Sequence, residues 1–281
     1  MTAPLPLHAP AEAFFLATAH GERFCLFHAP QGRCRGALVY LHPFAEEMNK
    51  SRRMAALQAR LFAAHGYGVL QLDLQGCGDS EGGFAEARWE HWRQDTAAAS
   101  AWLLARLGQP VGLWGLRLGA LLALDYARTA AQPVAHLLLW QPVTSGALFL
   151  TQFLRLKIAG AMLDGGAAAG STEALRASLA AGEALEVAGY LLAPALAGAL
   201  DALDAAAMAP RCPTSWLEVV GAGGRVLPPG AARIVTGWER DGARVAVQTV
   251  HCAPFWATQE IAQCPALLDA SLTALQERLH D

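Results

Sequence analysis

Charge is scarce in this sequence. Only 16% of its 281 residues are Asp, Glu, Lys or Arg, and the formal net charge is −3. No run of Lys and Arg appears, which argues against electrostatic binding of nucleic acid. Six cysteines are scattered (Cys25, Cys34, Cys77, Cys212, Cys252, Cys264) without a CxxC pair, so neither a zinc site nor a thioredoxin-like motif is predicted. A chain of this size needs no disulfide staples, and reduced cytosolic thiols are the expectation. No apolar run reaches the roughly 20 residues that span a bilayer; the nearest, 187–200, is short and holds Pro194. The first 23 residues lack a basic stretch ahead of a long apolar core, so no signal peptide is read and a cytoplasmic location is expected. Disorder is excluded by the 54% of hydrophobic residues.

The pattern that remains is strand alternating with helix. Residues 22–28 alternate like an early antiparallel strand. Short apolar runs at 36–41, 68–73, 110–114 and 134–140 read as buried strands. Helical spacing covers 51–65, 87–107 and 119–129. Such repetition predicts a parallel sheet covered on both faces, with its site beyond the carboxyl ends of the strands. Residues 143–209 break the rhythm and read as several Ala/Leu/Gly-rich helices without a strand. They are expected to form an inserted helical cap, with 1–142 and 210–281 as the core domain. Strands resume at 214–220 and 244–250, and a last helix covers about 265–279.

Three motifs resemble the α/β-hydrolase superfamily. Residues 73–80, DLQGCGDS, are similar to its D-x-x-G-x-G-x-S turn. Residues 115–119, GLRLG, stand where the G-x-S-x-G nucleophile elbow joins strand to helix. His251 follows the last strand, at the place of the family's catalytic histidine. The segments 42–54, 114–123, 139–146, 152–163 and 255–261 further resemble the exosortase A system-associated hydrolase 2 family. That resemblance implies an α/β-hydrolase fold and an accessory role in bacterial systems that sort PEP-CTERM proteins and make exopolysaccharide. It implies a partner protein of that system and supplies no substrate. No cofactor or metal is implied.

The elbow holds Arg117 where the superfamily keeps a nucleophile. A guanidinium retains its proton and offers no usable lone pair, so Arg117 cannot attack a carbonyl. The usual acid is missing as well: the loop after strand 214–220 has no carboxylate, Asp164 belongs to the expected cap, and Glu218 lies within the strand. A cation at the N-terminus of a helix needs a compensating anion. Glu46 or Glu47 would supply one from within; a small anionic or acylated ligand would supply the other. His251 and Arg117 are therefore the candidate catalytic pair. Water activated by His251, with Arg117 and backbone N–H groups at the oxyanion, would be chemically competent. His42, Glu46, Glu47, Arg117, Gln141 and Trp256 are the candidate ligand-binding residues. Cys77, Ser80 and Ser145 are candidate displaced nucleophiles, while Gln152 and Arg155 are candidates for the cap side of a pocket.

Overall fold

The computed structural model describes residues 10–163, 170–221 and 227–277. Eight strands form one sheet: β1 (Glu12–Thr18), β2 (Gly21–His28), β3 (Gly36–Leu41), β4 (Tyr67–Leu72), β5 (Val111–Leu116), β6 (Leu137–Trp140), β9 (Thr214–Val220) and β10 (Val245–His251). Their spatial order is β1-β2-β4-β3-β5-β6-β9-β10. The β1–β2 and β2–β4 pairs are antiparallel, and every pairing from β4 onward is parallel. The middle strands β3, β5 and β6 are buried almost throughout, as a sheet covered on both faces requires.

Helices α1 (Glu46–Ala64) and α8 (Pro265–Glu277) pack together on one face. There they cover Leu38, Trp114, Leu138 and Trp140. Helices α2 (Trp89–Leu107) and α3 (Leu118–Thr129) cover the other face, over Val39, Leu113 and Leu139. Gly108 closes α2 in a left-handed conformation, its N–H reaching Leu104 O at 2.8 Å. Helix α7 (Pro229–Arg240) joins β9 to β10.

Between β6 and β9 lie α4 (Gly146–Leu163), α5 (Thr172–Ala180), a two-stranded hairpin of β7 (Leu185–Val187) and β8 (Tyr190–Leu192), and α6 (Pro194–Asp201). The hairpin departs from the all-helical expectation for 143–209. Its turn residues Ala188 and Gly189 both have positive φ, the conformation that matches a tight turn to strand twist. Strand β1 also goes beyond the sequence reading: it is an edge strand, exposed enough for its pattern to blur. Asp164, and residues 222–226 of the loop after β9, lie outside the described residues. The expectation of reduced thiols is corrected at one pair. Cys252 and Cys264 form a disulfide, because the chain after β10 folds back to start α8 beside that strand's end. No described helix is long and apolar enough to cross a membrane.

The β1–β2 turn rests on α2 through two stacked imidazoles. The His20 and His91 rings lie 3.7 Å apart and are tilted by 17°. His20 Nε2 meets Gln94 Oε1 at 2.7 Å and His91 Nδ1 meets Gln75 Oε1 at 2.6 Å, which places one proton on each named nitrogen. Burial, and then His20, push His91 below the usual histidine range. A folded-state value below the unfolded one means that the unfolded chain takes up the proton first. This contribution is complete above the unfolded value of about 6.5 and is lost as pH falls through it. Urea midpoints are expected to drop between about pH 7.5 and about pH 5.5, and H20A is expected to shrink that drop. An H20A chain with an unaltered pH slope would refute this assignment.

Candidate active site

The elbow is built as its glycines require. Strand β5 ends at Leu116, α3 starts at Leu118, and Arg117 between them has φ 56° and ψ −116°. That is the strained left-handed turn that pushes one side chain out beyond the sheet. A Cβ on Gly119 would stand 2.1 Å from Leu41 O and 2.6 Å from His42 O; one on Gly115 would stand 2.5 Å from Ala120 Cα. The backbone is held by Arg117 N–H donating to Trp140 O at 2.9 Å and by Val143 N–H donating to Arg117 O at 3.2 Å.

Register then decides who meets Arg117. Leu116 is level with Trp140, and Trp140 with Leu217, so Arg117, Gln141 and Glu218 form the next row. From the neighbouring β3 side, α1 begins after Ala45, a second non-glycine residue at positive φ. Glu47 in its first turn is the partner: Arg117 Nε and Nη2 each donate to Glu47 Oε1 at 3.3 Å. The guanidinium carbon lies 5.6 Å from the Trp256 ring centroid, so an aromatic face backs the cation. Arg117 Nη1 has no hydrogen-bond partner among the described residues, and Glu47 Oε2 is buried without one. Burial pushes the Glu47 carboxyl above the usual range, and Arg117 pulls against it. The pair is only partly exposed, at 18% and 23%.

The other sequence candidates divide clearly. Glu46 turns away to Asn49 Nδ2 and to the Tyr190 hydroxyl, which ties α1 to the β7–β8 hairpin. Gln141, at φ 42°, is committed to β9: its Oε1 accepts from Val219 N–H at 2.6 Å and its Nε2 donates to Glu218 Oε1 at 3.0 Å. Glu218 Oε2 accepts from Trp216 Nε1 at 2.7 Å. Burial raises the Glu218 carboxyl, while the bonds from Trp216 and Gln141 and the charge of Arg117 oppose it. Glu218 lies within β9, as the sequence reading has it; what the register adds is its place in the elbow's row.

His42 is spent on the scaffold. Its Nδ1 donates to Pro43 O at 2.7 Å and its Nε2 accepts from Leu74 N–H at 3.1 Å, so neither nitrogen is left for the ligand role expected of it. Burial lowers its affinity for a proton. His251 ends β10 and is exposed, and its side chain makes no hydrogen bond or ion pair among the described residues.

The displaced-nucleophile candidates have structural duties. Ser80 Oγ donates to Asp73 O and accepts from Phe24 N–H. Ser145 Oγ accepts from Leu148 N–H at the start of α4. Cys77 is buried, and that burial drives its thiol far above the usual range, away from the reactive thiolate. Gln152 and Arg155 lie on the exposed side of α4.

Beside the elbow, His42, Phe44, Cys77, Trp92 and Leu118 leave a cavity of about 10 Å³, room for one water at most. Phe44 fills the space, in edge contact with Phe84, Phe149 and Phe153.

Solved structures share this architecture. Est1E from Butyrivibrio proteoclasticus, in a structure with ferulic acid bound, is 14% identical, with 95% of this chain and 98% of that one covered at a TM-score of 0.66. A thermostable carboxyl esterase from Bacillus coagulans is 12% identical, with 86% and 90% covered at 0.61. XC6422 from Xanthomonas campestris, described as an α/β serine hydrolase without lid, is 13% identical, with 99% and 98% covered at 0.53. These likenesses establish the α/β-hydrolase fold. A search of the curated proteins finds no match. The family model for the serine aminopeptidase S33 hydrolases matches residues 32–207, more than half of the chain, and this protein belongs to that family of the α/β-hydrolase superfamily.

Proposed function

We propose that this chain uses the hydrolase elbow to recognise an anion rather than to cleave an ester. The observation that carries the reading is Arg117 at φ 56° and ψ −116°, the nucleophile's conformation occupied by a side chain that cannot attack. Glu47 supports the guanidinium from one side and Trp256 from beneath, and Nη1 is left for a ligand. The N-terminus of α3 adds its own partial positive charge. An anionic group fits this arrangement. A long acyl chain has no room in the cavity beside the elbow, which Phe44 fills. We place the chain in the exosortase A system as an accessory protein, on the resemblance of segments 42–54, 114–123 and 152–163. Residues 143–209 serve as its cap, with Tyr190 reaching Glu46. The Cys252–Cys264 disulfide favours an oxidising compartment over the cytoplasm that the sequence suggests.

The alternative is an esterase or thioesterase that activates water through His251. Only the position of His251 at the end of β10 favours it. A fluorophosphonate probe separates the two. No label is expected at residues 115–119, and p-nitrophenyl acetate is expected to hydrolyse no faster than in buffer. Stoichiometric labelling at Ser80 or Ser145, or turnover that disappears in H251A, would overturn the anion-binding reading.

A further inference from the structure

The parallel strands begin at the edge opposite the elbow. Register there aligns Leu137, Thr214 and Val245 in one row. Three connections meet beside it: the last turn of α3 with Arg128, the segment before β9 with Arg211, and the α7–β10 turn with Arg244. Backbone bonds hold the latter two in place. Thr214 N–H donates to Arg244 O at 3.0 Å, and Leu137 N–H donates to Pro213 O at 3.0 Å.

The three arginines line one cavity of about 580 Å³, in which Asp241 is the single carboxylate among the described residues. Arg128 is partly compensated by Asp125 at 3.7 Å. Neither Arg211 nor Arg244 forms an ion pair among the described residues. Sequence distance does not explain this gathering; the sheet register brings three separate segments together. Three cations facing one anion leave a net positive pocket, and its volume falls in the range of small-molecule sites. Guanidinium forks match phosphate oxygens two at a time, and a cluster of them suits a multiply charged group better than a single carboxylate.

We infer that this edge binds a small molecule carrying a phosphate or diphosphate group with two or more negative charges. The site is separate from Arg117, which lies toward the other end of the same strands, roughly 15 Å away or more. Isothermal titration of the full chain with sodium pyrophosphate at low ionic strength tests it. Saturable binding is expected, together with a rise in Tm. The R211Q/R244Q variant is expected to weaken that binding at least about 10-fold and to lose the Tm rise. Both side chains are exposed, so the variant keeps its core, which its own unliganded Tm verifies. R60Q, which removes an exposed arginine of α1 outside this cavity, is expected to bind pyrophosphate as the parent does. No saturable heat up to about 1 mM, unchanged affinity in R211Q/R244Q, or an equal loss of binding in R60Q would each overturn the assignment.

Discussion

Asp95→Ala is expected to remove about 3–5 kcal/mol of stability, read as a lower urea midpoint at unchanged slope. Asp95 and Arg23 are both fully buried, with Arg23 Nε 2.8 Å from Asp95 Oδ1. Removing the carboxylate leaves a guanidinium with no counter-charge and no water, the costly half of a broken buried pair. Arg23 would keep its bonds to Glu22 O and His20 O, which satisfy donors but not charge. The damage also spreads along the chain. Asp95 Oδ2 accepts from Gln75 N–H, and the next amide back, Leu74 N–H, is the one that holds His42. Asp95 on α2 thus braces the 73–80 turn, and that turn braces the end of β3 beside the elbow. Replacing both partners with apolar residues of similar volume, as in R23M/D95L, is expected to cost less than D95A alone. If D95A costs under about 1 kcal/mol, the buried pair is not an energetic keystone of the fold.

Much of this architecture was legible from periodicity. The central strands are buried on both faces, so their apolar runs are unbroken. The helices between them carry enough apolar spacing to be seen, with Gly108 marking one end. The elbow was legible through its resemblance to the G-x-S-x-G motif, and the structure supplies the reason for the spacing: a Cβ on Gly115 or Gly119 would meet backbone atoms. What escaped lies where a feature depends on contacts from distant segments. Strand β1 is an edge strand with half of its residues open to solvent. The β7–β8 hairpin is signalled only by Ala188–Gly189 inside a run rich in small residues. Choosing Glu47 over Glu46 required the start of α1, which rotates one carboxylate toward Arg117 and the other toward Tyr190. The Cys252–Cys264 bond depends on where α8 begins, and no spacing rule reveals that.

Gly119→Ala is expected to be at least as damaging as loss of Asp95, and it tests the elbow itself. Its new methyl would fall 2.1 Å from Leu41 O and 2.6 Å from His42 O, both backbone atoms that no rotamer change can move aside. The end of β3 and the first turn of α3 would have to separate, opening a contact in which Leu41, Leu118 and Leu121 are all essentially buried. A loss of roughly 3 kcal/mol or more follows from overpacking at a site that cannot relax. Arg117→Ser makes the opposite case. Serine occupies the same positive φ and clashes with nothing, so R117S is expected to fold. It leaves Glu47 without its cation, at a cost of about 1–3 kcal/mol for a partly exposed pair. R117S is also expected to stay inactive on p-nitrophenyl acetate, because His251 is exposed and no acid among the described residues orients it. A folded, active R117S would mean that the chain retains a working charge relay and that one codon separates it from turnover. A folded, inactive one would mean that the steric frame of the elbow, held by Gly115 and Gly119, stands without a working Ser–His–acid set around it.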